Sequence, residues 1–211
     1  FGLRKRAGNF SFDEISQAVA ETHAAGKKAY LTINIFAHNR HIDPIKKYCK
    51  SLKPLSLDAV IVSDPGIFSI VREILPETKI HVSTQANTTN IASVAFWQKI
   101  GADRVILSRE LTLKEIEEIT NNSAIGIETF VHGAMCISYS GRCLLSNYLA
   151  HRSANLGDCA HPCRWQYRII ERRRPDEPLE VSEDGDYTYI MSSRDLCMIE
   201  HIPELIKAGI S

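Results

Sequence analysis

Four of the six cysteines in the sequence fall within a stretch of 28 residues, with the spacing C-x6-C-x15-C-x3-C. They are Cys136, Cys143, Cys159 and Cys163, in "HGAMCISYSGRC" and "LGDCAHPCRW". Thiolates bind a metal when they converge on one point, which the neighbouring glycines and loops would permit. Zinc sites usually contain short C-x2-C or C-x4-C pairs, whereas iron–sulfur clusters tolerate irregular spacing. The spacing favours an iron–sulfur cluster, with a zinc site and with disulfides or unligated thiols as alternatives.

The remaining two cysteines have different surroundings. Cys49 lies within a helical stretch and Cys197 follows a predicted strand, so both are interpreted as ordinary thiols. His132, His151 and His161 lie near the four cysteines. They are left out of the predicted ligand set, because a single histidine in a loop is more often not a ligand.

The composition limits the class of protein. The 211 residues include 25 basic and 25 acidic side chains, so no overall charge points to nucleic acid or to an anionic membrane as partner. No run of about 18 apolar residues and no secretory signal pattern occurs, which predicts a cytoplasmic protein without a membrane partner. In a reducing cytosol, clustered thiols are more often metal ligands or redox groups than disulfides. The sequence begins without Met, and we expect further residues upstream.

Residues 27–133 alternate short apolar runs with amphipathic stretches. The predicted strands lie at 28–36, 57–64, 79–85, 103–110 and 124–133, with a helix before the first and between consecutive strands. Apolar strands with little alternation are typical of a parallel sheet that helices cover. Predicted helix starts are Asp43 before Pro44, Asp64 before Pro65, and a capping box of Thr112 with Glu115.

Two parallel architectures fit this alternation, an open doubly wound sheet and a (β/α)8 barrel. The repeat is short, at roughly 20 to 30 residues per unit, and no glycine-rich phosphate loop follows any strand. The prediction is therefore an α/β fold with a partial or complete (β/α)8 TIM-like barrel.

The predicted organisation has three parts. Residues 1–133 form the barrel units, 134–190 form a cysteine-rich insertion with a β-hairpin, and 191–211 return to the barrel. The hairpin prediction rests on antiparallel strand patterns around a charged turn that contains Pro and Gly, after residue 163. A return strand, "YTYIMSSRD", and a helix near "IEHIPELIKAG" follow.

The stretch "ETFVHGAMCISYSGRCLLSNYLAHRSANLGDCAHPCRWQY" at 128–167 closely resembles the signature of the collagenase-like peptidase family. The runs "VSDPG", "HVSTQANTTN" and "RVILSRELTLKEI" extend the resemblance over nearly the whole chain. Within that family the sequence is most similar to the prephenate-dependent tRNA uridine hydroxylases, which hydroxylate carbon five of the wobble uridine. The resemblance implies a four-iron, four-sulfur (4Fe-4S) cluster on the four clustered cysteines. It also implies tRNA as partner and prephenate, a dicarboxylate, as hydroxyl donor and co-substrate.

The family name makes peptide hydrolysis the alternative activity. A serine or cysteine peptidase needs a nucleophile, a base and an oxyanion hole. Neither a G-x-S-x-G elbow nor an H-E-x-x-H motif occurs, and the four cysteines would have no role in hydrolysis. Hydrolysis stays as the second hypothesis, because a catalytic triad can be assembled from residues that are distant in sequence.

Barrel enzymes place their reacting groups at the carboxyl ends of the strands. Those ends carry amides and charged groups in this sequence, namely Asn34, His38, Asn39, Asp64, Gln85, Asn87, Arg109, Glu110, Glu128, His132, Arg194 and Asp195. The predicted catalytic residues are Arg109, Glu110, Glu128 and His132. Adjacent charges at the end of an apolar strand, as at Arg109 and Glu110, are costly unless they are solvated or paired. Arg109 is the expected partner of the dicarboxylate donor, because a guanidinium fork matches a carboxylate.

Arginines and aromatic residues beside the cysteines are the predicted RNA contacts. The predicted set is Arg164, Trp165 and Arg168, since guanidinium groups contact phosphates and aromatic rings stack on bases. Further basic candidates are Arg4, Lys5, Arg6, Arg142 and Arg152. The run "ERRRPDEP" is interpreted instead as a solvated turn with its own acidic neighbours.

Overall fold

The computed structural model describes residues 1–2, 8–139, 142–165, 169–179, 182–184, 187–189 and 195–210, and describes only the backbone of 169–171, 174–179, 182–184 and 187–189. The helices in this part of the chain are α1 (Phe12–Ala24), α2 (Asn39–Leu52), α3 (Pro65–Ile74), α4 (Ile91–Lys99), α5 (Leu113–Asn121), α6 (Leu145–Ala150) and α7 (Ile202–Lys207). The strands are β1 (Tyr30–Ile33), β2 (Ala59–Val62), β3 (Lys79–Val82), β4 (Arg104–Ile106), β5 (Gly126–Glu128), β6 (His132–Gly133), β7 (Ile169–Glu171), β8 (Arg174–Leu179), β9 (Ser182–Asp184), β10 (Tyr187–Tyr189) and β11 (Leu196–Cys197). None of the described helices is long and apolar enough to span a membrane.

Five strands form one parallel sheet in the order β1-β2-β3-β4-β5. Each strand pairs with the next one along the chain, and a helix connects each pair. The predicted α/β class and parallel sheet are therefore confirmed. Within the described residues β1 and β5 are the edges of this sheet, so the strand order agrees with a barrel while closure of the barrel stays a prediction.

Two of the predicted helix starts are confirmed by hydrogen bonds at the first turn. The Asp64 carboxylate accepts a hydrogen bond from the Ile67 N–H at 2.9 Å, and α3 starts at Pro65. Thr112 and Glu115 form the capping box that begins α5. Such caps satisfy backbone donors that have no partner inside the helix.

The third predicted start, at Asp43, is wrong. Helix α2 begins at Asn39, and Pro44 lies inside the helix, where its ring removes one backbone hydrogen bond. The first turn is held by a contact that the capping rules do not cover. The His38 N–H donates to Nδ1 of His41 at 3.0 Å, in the place where a capping box has an acidic side chain.

The apolar side chains of the sheet and of its helices form one core. Its fully buried strand residues include Ile33, Val60, Val62, Ile80, Val82 and Val105, and its helical residues include Ile45, Leu52, Ile67, Val71 and Ile116. Burial of apolar area stabilises the fold by about 25 cal/mol per Å². The core therefore fixes the strands whose carboxyl ends carry the site.

The opposite face of the sheet combines polar side chains with apolar ones such as Ile61, which pairs in register with His81. Arg104 Nη1 lies 3.4 Å from Glu128 Oε2, and His81 pairs in register with Arg104 across β3 and β4. The His81 ring packs edge-on against Tyr30 at 5.0 Å between centroids. Because side chains alternate along a strand, this is the face that would point into a barrel.

His81 makes the stability of the chain sensitive to acid. Its side chain is 4% exposed, and its Nδ1 has no hydrogen-bond partner among the described residues. Burial lowers the pKa of His81 to about 4, and Arg104 acts in the same direction. As the pH falls from about 6.5 to about 4, the unfolded chain takes up the proton first, so we expect the free energy of unfolding to fall by roughly 3 kcal/mol. His81→Phe should keep the ring contact and remove this loss, as measured by urea unfolding at a series of pH values.

The control for this prediction is His201→Gln, because the His201 side chain is 55% exposed. That variant should keep the acid-dependent loss of the parent protein. An unchanged pH dependence in His81→Phe would show that other groups cause the acid sensitivity.

The predicted antiparallel strands of the insertion are confirmed in the described residues. β7 pairs with β8 and β9 pairs with β10, both antiparallel. The described part of the predicted return strand, Tyr187–Tyr189, pairs with β9 and not with the parallel sheet, while 190–194 lie outside the described residues. β11 pairs antiparallel with β6 and is followed by the predicted helix, α7. The division of the chain into three parts stays a prediction.

Candidate metal centre and adjoining cleft

The four clustered cysteines line one cavity of about 190 Å³, which we call the cysteine cavity. Arg109, three residues beyond the end of β4, lines the same cavity and places it at the carboxyl edge of the sheet. All six cysteines lie in the described residues, and none of them forms a disulfide. Cys143 and Cys163 are 5% and 9% exposed. The alternative of two disulfides is therefore not what the structure has.

Hydrogen bonds from two segments fix the cysteine loops. Asn155 is central: its Oδ1 accepts the Cys143 N–H at 3.2 Å, and its carbonyl oxygen accepts the Phe36 N–H at 3.0 Å. Because Phe36 follows β1, this residue joins the loops to the sheet. The hydroxyl of Ser146, a fully buried residue in α6, accepts the Ala160 N–H at 2.9 Å.

Arg152 braces the turn that leads into the second pair of cysteines. Its Nε donates to Asp158 Oδ1 at 3.0 Å, and its Nη2 donates to the carbonyl oxygen of Cys159 at 3.1 Å. Gly157, directly before Asp158 in the chain, has φ +77°, a left-handed conformation that residues other than glycine rarely adopt. A basic residue that the sequence suggested for RNA is thus engaged in holding the loop.

The thiols of the cavity influence one another electrostatically. Burial raises the pKa of Cys163, and the thiols of Cys136 and Cys159 act in the same direction. Cys143 adds to this effect, whereas Arg164 opposes it. Ionisation of one thiol is therefore disfavoured by the others, and a bound cation or cluster would stabilise the thiolates.

The residues present fit an iron–sulfur cluster better than a zinc ion. Within the described part of the chain, no group of three or more His, Cys, Asp or Glu side chains could hold a metal ion as placed. Zinc–thiolate bonds are about 2.3 Å long, so zinc would require the four thiols to move together. A larger inorganic core bridges sulfurs that lie further apart, and the cavity is over ten times the roughly 15 Å³ that one water needs. The described lining contains no carboxylate and two guanidinium groups, Arg109 and Arg164, which suit an anionic cluster.

Arg109 is held tightly beside the cysteines. Its guanidinium carbon lies 4.1 Å from the centroid of the Phe130 ring, and its Nη1 donates to the carbonyl oxygen of Ala134 at 3.1 Å. Its buried Nε has no hydrogen-bond partner among the described residues. Burial lowers the pKa of Arg109, while Glu110 and Cys136 raise it. The side chain stays charged, as arginine does in proteins. Arg109 therefore places a positive charge and one N–H donor without a partner among the described residues at the cavity.

A second and larger space adjoins the cysteine cavity. This cleft has a volume of about 810 Å³ and is lined by Asn87, Thr89, Glu110, Leu111, Glu115, Ser138, Tyr139 and Arg142. Arg142 Nη2 donates to the carbonyl oxygen of Gln85 at 3.4 Å, and its guanidinium carbon lies 5.8 Å from the Phe36 ring centroid. The described residues of 136–139 and 142–143 divide between the two spaces, since Cys136, Ile137 and Cys143 line the cavity while Ser138, Tyr139 and Arg142 line the cleft.

The four predicted catalytic residues do not share one site. Arg109 lines the cysteine cavity, whereas Glu110 lines the cleft and accepts a hydrogen bond from the Ser108 hydroxyl. Glu128 pairs with Arg104, and His132 is exposed in β6. Neither Glu128 nor His132 is among the described residues that line the two spaces, and their catalytic roles stay predictions.

The predicted RNA contacts are also divided. Arg164 lines the cysteine cavity and donates to Asp195 through Nη1 and Nη2, which lowers the pKa of that carboxyl group. A phosphate would have to compete with this ion pair. Trp165 is partly exposed beside it, while Arg168 lies outside the described residues. RNA binding by these residues stays a prediction.

Some site residues had no signal in the sequence. Ser146 and Asn155 hold the loops through hydrogen bonds of their side chains, and nothing in their type or spacing indicates that role. Tyr139 lies between two of the cysteines but is not part of a recognisable pattern. Arg142 could be found only as a basic neighbour of Cys143.

The fold and the site define an α/β protein with a barrel-like strand order and a four-cysteine cavity at the carboxyl edge of its sheet. The chain belongs to peptidase family U32, whose family model matches residues 1–211. The family that the cysteine signature predicted is therefore confirmed.

Curated relatives of the chain have names that refer to RNA hydroxylation. The "tRNA hydroxylation protein P" of Escherichia coli (strain K12) is 41% identical over 253 residues, covering 100% of this chain and 55% of the relative. The "tRNA hydroxylation protein P1" of Bacillus subtilis (strain 168) is 41% identical over 210 residues, covering 100% and 50%. The "23S rRNA 5-hydroxycytidine C2501 synthase" of Escherichia coli (strain K12) is 32% identical over 210 residues, covering 100% and 30%. The chain thus spans about half of the length of the first two relatives.

One solved structure of the same family supports the fold. The structure of the U32 peptidase Mk0906 superposes with a TM-score of 0.53 at 16% sequence identity, covering 63% of this chain and 57% of that chain. At this identity the likeness concerns the fold alone.

Proposed function

We propose that this chain is the cluster-binding part of an enzyme that hydroxylates a tRNA pyrimidine without molecular oxygen. The product would be 5-hydroxyuridine at the wobble position, and prephenate would be the hydroxyl donor. Cys136, Cys143, Cys159 and Cys163 would hold a 4Fe-4S cluster. The observation that carries the proposal is the single cavity that all four of these side chains line.

The names of the relatives support the chemistry of the product. Two of them refer to tRNA hydroxylation, and the third to a cytidine hydroxylated at carbon five in ribosomal RNA. The rRNA synthase is the one of the three whose name specifies a pyrimidine, and it agrees in this with the resemblance in the cysteine signature. The choice of a wobble uridine and of prephenate rests on that resemblance.

The residues of the chain have defined tasks in this proposal. When bound, a 4Fe-4S cluster supplies one-electron redox chemistry. The protein holds the thiolates through loops that are joined to the sheet, and the His161 N–H donates to Sγ of Cys159 at 3.3 Å. Arg109 and Arg164 place positive charge at the cavity wall, which offsets the negative charge of four thiolates.

The arrangement also suits an RNA substrate. Residues that border the cavity and the cleft lie at the carboxyl edge of the sheet, where the donor and the target base can meet. A wobble base lies in a single-stranded loop, so moving it into a cleft costs little unpairing. Because the chain has balanced charge, RNA would be bound by local arginines, and the affinity should fall steeply with salt.

Anaerobic purification of the full-length protein tests the proposal. We expect a brown protein that contains iron and acid-labile sulfide and little zinc, with a broad visible absorption. Deleting its gene should remove the hydroxylated uridine from cellular tRNA, as measured by nucleoside analysis, and the wild-type gene should restore it. A colourless protein with zinc in stoichiometric amount would contradict the cluster.

The same material tests the alternative of peptide hydrolysis. A peptidase would cleave gelatin or peptides and would keep this activity when all four cysteines are replaced. Unchanged tRNA nucleosides together with such cleavage would favour hydrolysis over hydroxylation.

A further inference from the structure

The cleft beside the cysteine cavity lies near the thiols, and its lining indicates which of the two proposed substrates it suits. Its volume of about 810 Å³ lies in the range of small-molecule sites, and its lining includes Ser138 and Tyr139, which follow Cys136 closely in the chain. The consecutive residues Arg109 and Glu110 divide between the cysteine cavity and the cleft. A ligand in the cleft would therefore lie one loop away from the thiols.

The charges of the cleft argue against a dicarboxylate ligand. Its described lining includes two carboxylates, Glu110 and Glu115, and one guanidinium, Arg142. The Glu115 carboxylate accepts hydrogen bonds from the N–H and the hydroxyl of Thr112, at 2.8 and 2.7 Å, and so is fixed at the edge of the cleft. A doubly negative donor would be repelled by these acids, whereas an uncharged ring with polar edges would not.

The cleft offers the groups that bind a nucleoside. Tyr139 is 64% exposed and lines the cleft together with Arg142. An exposed aromatic ring beside an arginine is the arrangement on which single-stranded bases stack. Asn87, Thr89 and Ser138 add amide and hydroxyl groups that can hydrogen-bond to the edge of a base and to a ribose.

We propose that this cleft receives the target nucleoside of the RNA, with Tyr139 stacking on the pyrimidine ring. This inference rests on the proposed function, since it assigns the substrate of that activity to a place. In this inference the two substrates bind at different places. The base enters the cleft that Glu110 and Glu115 line, and the dicarboxylate donor binds elsewhere at the carboxyl edge of the sheet.

Binding of a labelled RNA stem–loop to the anaerobically purified full-length protein tests the inference. One probe carries a single loop uridine, and the other carries an abasic nucleotide at that position. The wild-type protein should bind the uridine probe about tenfold more tightly, because stacking stabilises a bound base. Tyr139→Leu should lose this difference, whereas Tyr139→Phe should keep it. The matched control is Tyr148→Leu, because Tyr148 is 80% exposed and is not among the described residues of the cleft.

The outcomes distinguish the two proposals. If the wild-type protein binds neither probe, the proposed RNA substrate is wrong. If it prefers the uridine probe and Tyr139→Leu does so equally, the assignment of the cleft is wrong while the function stands. If Tyr139→Leu raises the KM for prephenate and leaves the uridine preference unchanged, the cleft belongs to the donor and the inference is overturned.

Discussion

Replacing Cys163 with serine in the full-length protein is expected to remove the visible absorption, the bound iron and the hydroxylated nucleoside together. Cys163 is 9% exposed and lines the cysteine cavity with the three other predicted ligands. A serine hydroxyl does not ionise in the range where thiols do, so the cluster would lose one of its four anionic ligands. Iron and sulfide analysis and tRNA nucleoside analysis of a complemented deletion strain measure the effect.

Two cysteines outside the cavity provide the controls. Cys197→Ser replaces an exposed thiol, and Cys49→Ala replaces a buried thiol whose pKa burial raises to about 11. Both variants should keep iron and activity, and circular dichroism should show that Cys163→Ser is folded. Full iron and sulfide content in Cys163→Ser, or their loss in Cys197→Ser, would contradict the assignment of the ligands.

The sequence predicted the elements of the sheet well, because their signals are local. The run "LDAVIVSD" contains a strand at Ala59–Val62, and the cap at Asp64 begins the following helix. Apolar runs of this length between amphipathic helices are buried on both faces, whatever the rest of the chain does. The start of α2 at Asn39 is not indicated by the sequence, because the His41 ring accepts the His38 N–H in place of the acidic side chain of an ordinary capping box.

The site was less predictable because its contacts are distant in sequence. Arg164 pairs with Asp195 across 31 residues, which no pattern of spacing indicates. Arg109 and Glu110 are two of the four predicted catalytic residues, yet they line different spaces. Both residues lie in the turn that follows β4, where the side-chain alternation of a strand no longer applies, so the sequence pattern does not indicate which space each side chain lines. The common cavity of the four cysteines depends on loop packing through Asn155, and spacing alone left zinc and disulfides open.

Arg109 is the residue whose replacement should separate donor use from cluster binding. Arg109→Ala in the full-length enzyme is expected to raise the KM for prephenate roughly ten- to hundredfold, because a charge-assisted hydrogen bond contributes about 1.5–3 kcal/mol. The visible absorption of the cluster should remain, since arginine supplies none of the four thiolates. Steady-state kinetics with varied prephenate and an absorption spectrum of the same sample measure the two effects.

The reduction potential gives a second measure of Arg109. A cluster becomes more negative when it is reduced, and a neighbouring positive charge stabilises that state. Arg109 lies close enough to Cys136 for that thiol to raise the pKa of the Arg109 guanidinium. Removing the charge should therefore lower the reduction potential of the cluster, on the order of 100 mV if unit charges interact by roughly 3 kcal/mol.

Arg109→Lys keeps the positive charge but loses the guanidinium fork and the Nε donor. This variant should preserve more of the reduction potential than of the affinity for the donor. Loss of the cluster itself in Arg109→Ala would assign this side chain to holding the cysteine loops through the Ala134 carbonyl, and not to the donor.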